Sequence, residues 1–464
     1  MLQKFINWVR QVLSKLVSKS TIKEKLQINV AISPAMEEHI ATCTAIYENK
    51  ASWLNDDVQS MNLGCTIASE FARTITIESE SEIVGSARAD FLNEQYQRFL
   101  KYLRQYTEFA GAKGGIAFKP YVDGNKIAVD AVHADRFFPT AYDSAGQITG
   151  AVFVERLTKG NLFYTRLEYH NLTDKGYEVT NKAYLSEVES MLGREADFAT
   201  IDEWSSVEPY VLITDIEKPL FAYFRIAQAN MIDSSSPLGV SIFARAIDLI
   251  KEADKQYSRL LWEFEAGEAA IDIDATLFEK DEKGRPRIPH GKRRLFRTYN
   301  GLGLGEDRDS LKIYSPTLRD QSLQNGLNEL LMRIEDACGM ARGTFSNVQT
   351  DARTATELKI MRQRTYATIS DNQTALQAAL EQLIYAMDVW VTLAELAPAG
   401  KYNTTFNWDD SLVIDTDTEQ LIRMQEVAAK LIRPEEYVKW RYGIKDDETA
   451  KELMPDAAQT IEME

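Results

Sequence analysis

A chain of 464 residues that is 44% hydrophobic and 10% aromatic is long enough for two or three domains and too apolar to be mostly disordered. Its net charge of −17, from 70 acidic and 53 basic residues, excludes a protein that grips nucleic acid by neutralising phosphates over its whole surface. Three widely spaced cysteines, Cys43, Cys65 and Cys338, show no disulfide framework or CxxC metal site, and no apolar run reaches the length of a membrane span.

The opening stretch "MLQKFINWVRQVLSKLVSKS" is amphipathic, with Phe5, Val9, Leu13, Leu16 and Val17 on one side and Lys4, Lys15 and Lys19 on the other. It lacks the continuous apolar core and cleavage site of a signal peptide; a helix docked on protein and a membrane-surface helix both stay open. To about residue 110 the chain reads as mainly helical. Ser33-Pro34 followed by Glu37 predicts a helix start. "FLNEQYQRFLKYLRQYTEFAG" predicts one helix from Phe91, stopped by Gly111. From about 115 to 215 the period changes. "GIAFKPYVDGNKIAVDAVH" predicts a hairpin about Asp123-Gly124, and four more strand-like runs follow, giving antiparallel sheet rather than alternating βα units.

"SSSPLGVSIFARAIDLIKEADKQYSRLLWEFEAG" (234–267) predicts a helix opened by Ser236 and Pro237. Phe243, Ala246, Ile247, Ile250, Ala253, Tyr257, Leu260, Leu261 and Phe264 form one apolar face, on a helix of roughly 40 Å. About fifty residues without helical period follow, holding "AAIDIDATLF", "RRLFRTYN" and "LKIYSP", and then a second helix, "LRDQSLQNGLNELLMRIEDACG". A small β module is therefore inserted between two helices. "MARGTFSNVQTDAR" reads as a loop. Thr354 and Glu357 form a capping box for a third helix that meets no proline until Pro398, or roughly 60 Å. Its first half is polar nearly all round; its second carries Leu376, Leu380, Leu383, Ile384, Met387, Trp390 and Val391. "YNTTFNWDDSLVID" predicts strand, and the chain from Asp417 to Glu464 reads as helical and acidic.

Catalytic patterns are missing from the sequence. The glycines of "GLGLG" (Gly301, Gly303, Gly305) precede an acidic stretch and then a strand, not the helix that a phosphate loop needs. His39, His133, His170 and His290 have no paired metal spacing, and His133 beside Asp135 reads as a structural residue. Asp409, Asp410, Asp415 and Asp417 fit a turn and helix start better than a cation loop. There is no GxSxG and no Cys–His pair. The expectation is no enzyme, no metal and no cofactor. "KGRPRIPHGKRRLFR" reverses the local charge: Lys283, Arg285, Arg287, Lys292, Arg293, Arg294 and Arg297, with no acid. It fits either a solvated hairpin face or a contact with DNA or an acidic partner.

The ordered set of the 234–267 helix, "YSPTLRD", "GLNELLMRIEDACGMARGTFS", "RTATEL" and "FNWDDSLVIDTDTE" resembles the portal proteins of long-tailed bacteriophages, the family common in phages of Gram-positive hosts. The match in order covers about 230 to 430; the first 200 residues match in layout alone. The resemblance implies an α+β portal-type fold. Residues 1–232 would be the wing, 233–267 and 317–340 the two stem helices, 268–316 the clip, 341–353 the tunnel loop, 354–415 a long helix and strand of the wing, and 416–464 the crown. It implies a homo-oligomeric ring, a dodecamer, in the virion at one capsid vertex, assembled in host cytoplasm. Double-stranded DNA would pass without sequence specificity, driven by a separate terminase. The terminase large subunit, head–tail adaptor, major capsid protein and scaffolding protein would be partners, and no membrane is expected. Arg342, Thr344, Ser346, Asn347, Gln349 and Arg353 would face the DNA channel, the basic cluster would meet adaptor, terminase or DNA, and Ile250 and Tyr257 would lie between subunits. The alternatives are an assembly or scaffold protein without a DNA channel and, more remotely, a DNA-processing enzyme.

Overall fold

The first helices start where their capping residues allow. The computed structural model describes residues 18–77, 79–274, 296–299, 311–348, 355–408 and 416–442; the amphipathic stretch 1–17 lies outside them. Helix α1 (Lys19–Leu26) is capped by Ser18 and α2 (Pro34–Tyr47) by Ser33, whose hydroxyl accepts from Met36 N–H. A cap of this kind contributes about 1 kcal/mol. Helix α3 (Leu63–Thr76) and strand β1 (Ser79–Val84) follow.

The single helix expected over 91–111 is two: α4 (Ala87–Leu100) and α5 (Leu103–Lys113). An unbroken helix would separate Phe99 and Tyr106 by about 10 Å of rise. The break instead stacks their rings at 5.3 Å, both against Phe118. Gly111 does not stop α5. It lies inside the helix, where a Cβ would meet the Phe71 ring at 2.7 Å. The stop is Gly114, at φ +94°, whose carbonyl and Cα press against Gly239; a Cβ on Gly239 would lie 2.1 Å from the Gly114 oxygen.

Strands β2 (Gly115–Asp123) and β3 (Lys126–His133) form the expected hairpin. Asp123 pairs with Lys126, leaving Gly124-Asn125 as a two-residue turn with Gly124 at φ +58°. Strands β4 (Phe137–Tyr142), β5 (Ile148–Lys159), β6 (Leu162–Thr173), β7 (Gly176–Ser186) and β8 (Arg194–Ala196) make an antiparallel meander, with β9 (Tyr210–Ile213) also on β7. Strand β10 (Ala222–Arg225) completes a second sheet in the order β10-β2-β3. Antiparallel sheet and helices, as expected, give an α+β fold.

The helix expected from Ser236 begins eleven residues later, as α6 (Ile247–Ala266), and is about 30 Å long. The backbone of 238–242 is engaged elsewhere: Asn230 donates to the Leu238 carbonyl, Gln228 to those of Val240 and Ser241, and Ile242 N–H to the Gly111 carbonyl. An apolar stripe shared by an extended buried run and a helix reads as one helix. Strands β11 (Ala270–Asp274), β12 (Phe296–Tyr299) and β13 (Leu311–Tyr314) then form the inserted module, and α7 (Asp320–Cys338) returns. Helix α8 (Ala355–Leu393) has 39 residues, roughly 58 Å, and β14 (Asn403–Trp408) forms a two-stranded sheet with β1.

By contacts the chain divides into a larger unit, Met1–Ile77 with Ser81–Phe406, and a smaller one, Glu78–Glu80 with Asn407–Glu464. The larger unit's main core sets Phe137, Phe153, Leu167, Tyr177 and Phe221 against Met36 and Ile40 of α2 and Ala386 of α8. The second half of α8 is buried as its sequence predicts: Leu376, Leu380, Leu383, Ile384, Met387 and Val391 are at most 1% exposed. Arg88, 3% exposed, fixes its end by donating to Asp388 Oδ1 (2.6 Å) and to the carbonyls of Asp388 and Ala397. In the smaller unit α9 (Thr416–Ala428) and α10 (Pro434–Tyr442) meet where Arg423 lies 4.7 Å from the Trp440 ring, and none of its described side chains is buried.

Burial holds the His39 and His133 imidazoles down to about 4; at His133 the Lys113 charge adds to it. An unfolded chain protonates these groups near 6.5, so between pH 6.5 and 4 it binds protons that the folded chain refuses. Each histidine therefore lowers stability as pH falls through that window, by up to roughly 3 kcal/mol at its foot. Thermal melts across pH 7 to 4 should show a shallower acid decline for His39→Gln than for the parent. An identical decline would remove His39 from this account.

Candidate functional site

Helices α6 and α7 lie antiparallel, with Glu263 near the end of α6 against Arg319 at the start of α7, and Gln256 donating to the Leu323 carbonyl. The pair buries Ile250, Ala253 and Leu260 of α6 and Leu327, Ile334 and Cys338 of α7. Three carboxylates on the pair each accept backbone N–H groups. Asp254, 2% exposed, takes Met61 N–H and Trp53 Nε1–H, both at 2.8 Å, and burial raises its pKa. Ser258, one turn on, accepts from Gln59 N–H at 2.8 Å, so the 53–61 loop is bound to α6. Glu263 takes Arg319 N–H (2.9 Å) and its guanidinium (2.6 Å), and the Arg319 hydrogen bonds hold its carboxyl below the usual range. This contact closes the base of the β module.

Within the module β11 is central, parallel to β12 (Ile271 opposite Phe296) and antiparallel to β13 (Ala270 opposite Tyr314). At the junction with the helices Trp262 (64%), Phe264 (43%), Ile313 (71%), Tyr314 and Leu318 are exposed. So much open apolar surface in one region is the mark of an interaction site.

The third carboxylate, Glu335, is fully buried. The chain after α7 folds back on it: Gly343, Phe345 and Ser346 donate their N–H groups, and the Ser346 hydroxyl donates at 2.7 Å. Asp336 pairs with Arg342 at 2.7 Å. Asn328 both donates to the Asn347 carbonyl and accepts its N–H. Residues 341–347 are therefore held against α7 by three of its side chains, Asn328, Glu335 and Asp336.

A family model described as "Phage portal protein, SPP1 Gp6-like" matches residues 69–463. The chain belongs to the phage portal protein family. That family is structural rather than enzymatic. Two solved structures resemble this portal chain. One, "Neck of native GTA particle computed with C12 symmetry", is 10% identical over 86% of this chain and 92% of its own, with a TM-score of 0.42. The other, "Neck of empty GTA particle computed with C6 symmetry", is 11% identical over 87% and 93%, with a TM-score of 0.44. No curated protein matches the portal chain.

Of the channel residues expected in this portal chain, Arg342, Thr344 and Asn347 are exposed, whereas Gln349 and Arg353 lie outside the described residues. Ser346 is 7% exposed and its hydroxyl is used by Glu335. Of the basic cluster, Lys283, Arg285, Arg287, Lys292, Arg293 and Arg294 lie outside the described residues, and Arg297 stands in β12 opposite Asp272. Ile250 is 2% exposed inside its own protomer and Tyr257 is half-buried. The residues that the sequence reading passed over are Glu335 and Asp254, which fall in register with apolar stripes, and Trp262, which falls beside one. A carboxylate at steps of four from Leu327 and Leu331 was the available signal for Glu335.

His133 lines a cavity of about 440 Å³ with Tyr47, Lys113, Asp130, Asp135 and Arg136. Lys113 is bound to Asp135 at 2.8 Å, and among the described residues no group of His, Cys, Asp and Glu is arranged to hold a metal. Among them, too, no helix is long and apolar enough to cross a membrane.

Proposed function

We propose that this chain assembles as a closed ring of twelve copies at one capsid vertex of a phage particle, and that double-stranded DNA passes through its centre during packaging and ejection. The observation that carries the reading is a portal-family chain in which two antiparallel helices carry a three-stranded module at one end and a folded-back segment at the other. On this reading residues 1–232 and 354–415 are the wing, 233–267 and 317–340 the stem, 268–316 the clip, 341–353 the loop nearest the DNA, and 416–464 the crown. A net charge of −17 per copy suits a conduit, because an acidic wall repels phosphates and does not grip them. The described crown residues expose Leu421, Ile422 and Met424 on α9 and Leu431 between α9 and α10, a surface that association would cover.

The clip is the docking face for the head–tail adaptor and, during packaging, for the terminase large subunit; the capsid and scaffolding proteins meet the ring elsewhere. Sedimentation of the purified chain should show a large closed oligomer. Changing Arg285, Arg287, Lys292, Arg293 and Arg294 to Ser should keep that oligomer but weaken adaptor or terminase binding, most at low salt. Sedimentation as a monomer would count against the ring, and unchanged binding by the five-site variant would count against docking through these cations.

A further inference from the structure

A buried glutamate normally needs cationic partners or several hydrogen bonds. Glu335 meets that need with the chain that follows its own helix. Oε1 accepts Phe345 N–H and Ser346 N–H (2.8 Å); Oε2 accepts Gly343 N–H (3.2 Å) and the Ser346 hydroxyl (2.7 Å). The four donors lie within four consecutive residues, so one carboxylate organises the whole turn. Arg342 and Asn347, on either side, are tied to Asp336 and Asn328. These partners all lie on α7, at 328, 335 and 336, so the segment is fastened along about two turns of the helix.

We infer that Glu335 is a latch that stores residues 341–347 against α7. This rests on the proposed channel for its purpose but not for its test. With the latch shut, Ser346 has no hydroxyl free for a phosphate, and Arg342, Thr344 and Asn347 are presented from a rigid base. With it open, the seven residues 341–347 are freed from the helix, with about 24 Å of reach at full extension. The device is local: its hydrogen bonds run between α7 and the residues that follow it.

Hydrogen–deuterium exchange of the full-length protein, read on the 341–348 peptide, tests the latch directly. The amides of Gly343, Phe345, Ser346 and Asn347 belong to no helix or strand, yet should exchange at least about tenfold more slowly than an unstructured peptide. Glu335→Gln keeps the shape but replaces an acceptor by an NH2 group, and should speed exchange of this peptide about tenfold while α6 and α7 stay protected. Asn328→Ala, at a half-buried position, should release Asn347 alone. Free exchange of the peptide in the parent protein, or parent-like protection in Glu335→Gln, would overturn the latch. Loss of the ring with this pattern intact would instead count against the proposed channel.

Discussion

Glu168→Ala should destabilise the protomer by about 3–5 kcal/mol, the cost of leaving a buried charge without its partner. Glu168 on β6 is the shared acceptor of Lys119, which is 4% exposed, of Arg166 at 2.9 Å and of His170 Nε2 at 2.8 Å. Although burial pushes its carboxyl up, Lys119 and His170 outweigh that and hold it well below the usual range. Lys119 would keep only Asp130, 3.6 Å away and half-exposed, and the Phe153 ring. Urea unfolding read by tryptophan fluorescence should show a lower midpoint. The paired change Lys119→Met with Glu168→Leu should recover most of the loss, because it removes both charges and keeps the volume. A single alanine variant within about 1 kcal/mol of the parent would show that the network contributes little.

The second large effect separates folding from assembly. Ile250→Asp buries a charge on α6, at a position 2% exposed, and should cost several kcal/mol of protomer stability, roughly 4 or more. Trp262→Asp with Phe264→Asp alters side chains that are 64% and 43% exposed, so the protomer should stay folded. If that open apolar surface meets a neighbouring copy, the double variant should lose the oligomer while its melting temperature and circular dichroism stay near those of the parent. A normal oligomer from the double variant would place the subunit contact elsewhere.

Much of the architecture was legible because it rests on local signals. The Ser33-Pro34 cap and the apolar half of α8 act within a few residues and stand where their patterns predict, and the hairpin expected about Asp123-Gly124 turns one residue later, at Gly124-Asn125. The β module between two helices was legible from a loss of helical period. What failed was set at long range. The backbone of 238–242 bonds to Gly111, Gln228 and Asn230, and no local feature of "SPLGVSIFARA" announces those partners. The α4–α5 break depends on Phe118, which comes from the next strand. The candidate site was legible in outline and misjudged in detail for the same reason. Small polar residues after a helix read as free loop, and only the fold shows a carboxylate beneath them.

The central claim is a ring whose stem pairs surround an axial opening. A single-particle reconstruction of the purified full-length chain tests it most directly. The expected map shows a closed ring with a central hole, α6 and α7 around it, and residues 341–348 nearer the axis than the wing sheets. A monomer, a dimer, or a ring with the α6–α7 pairs on its outer rim would contradict it.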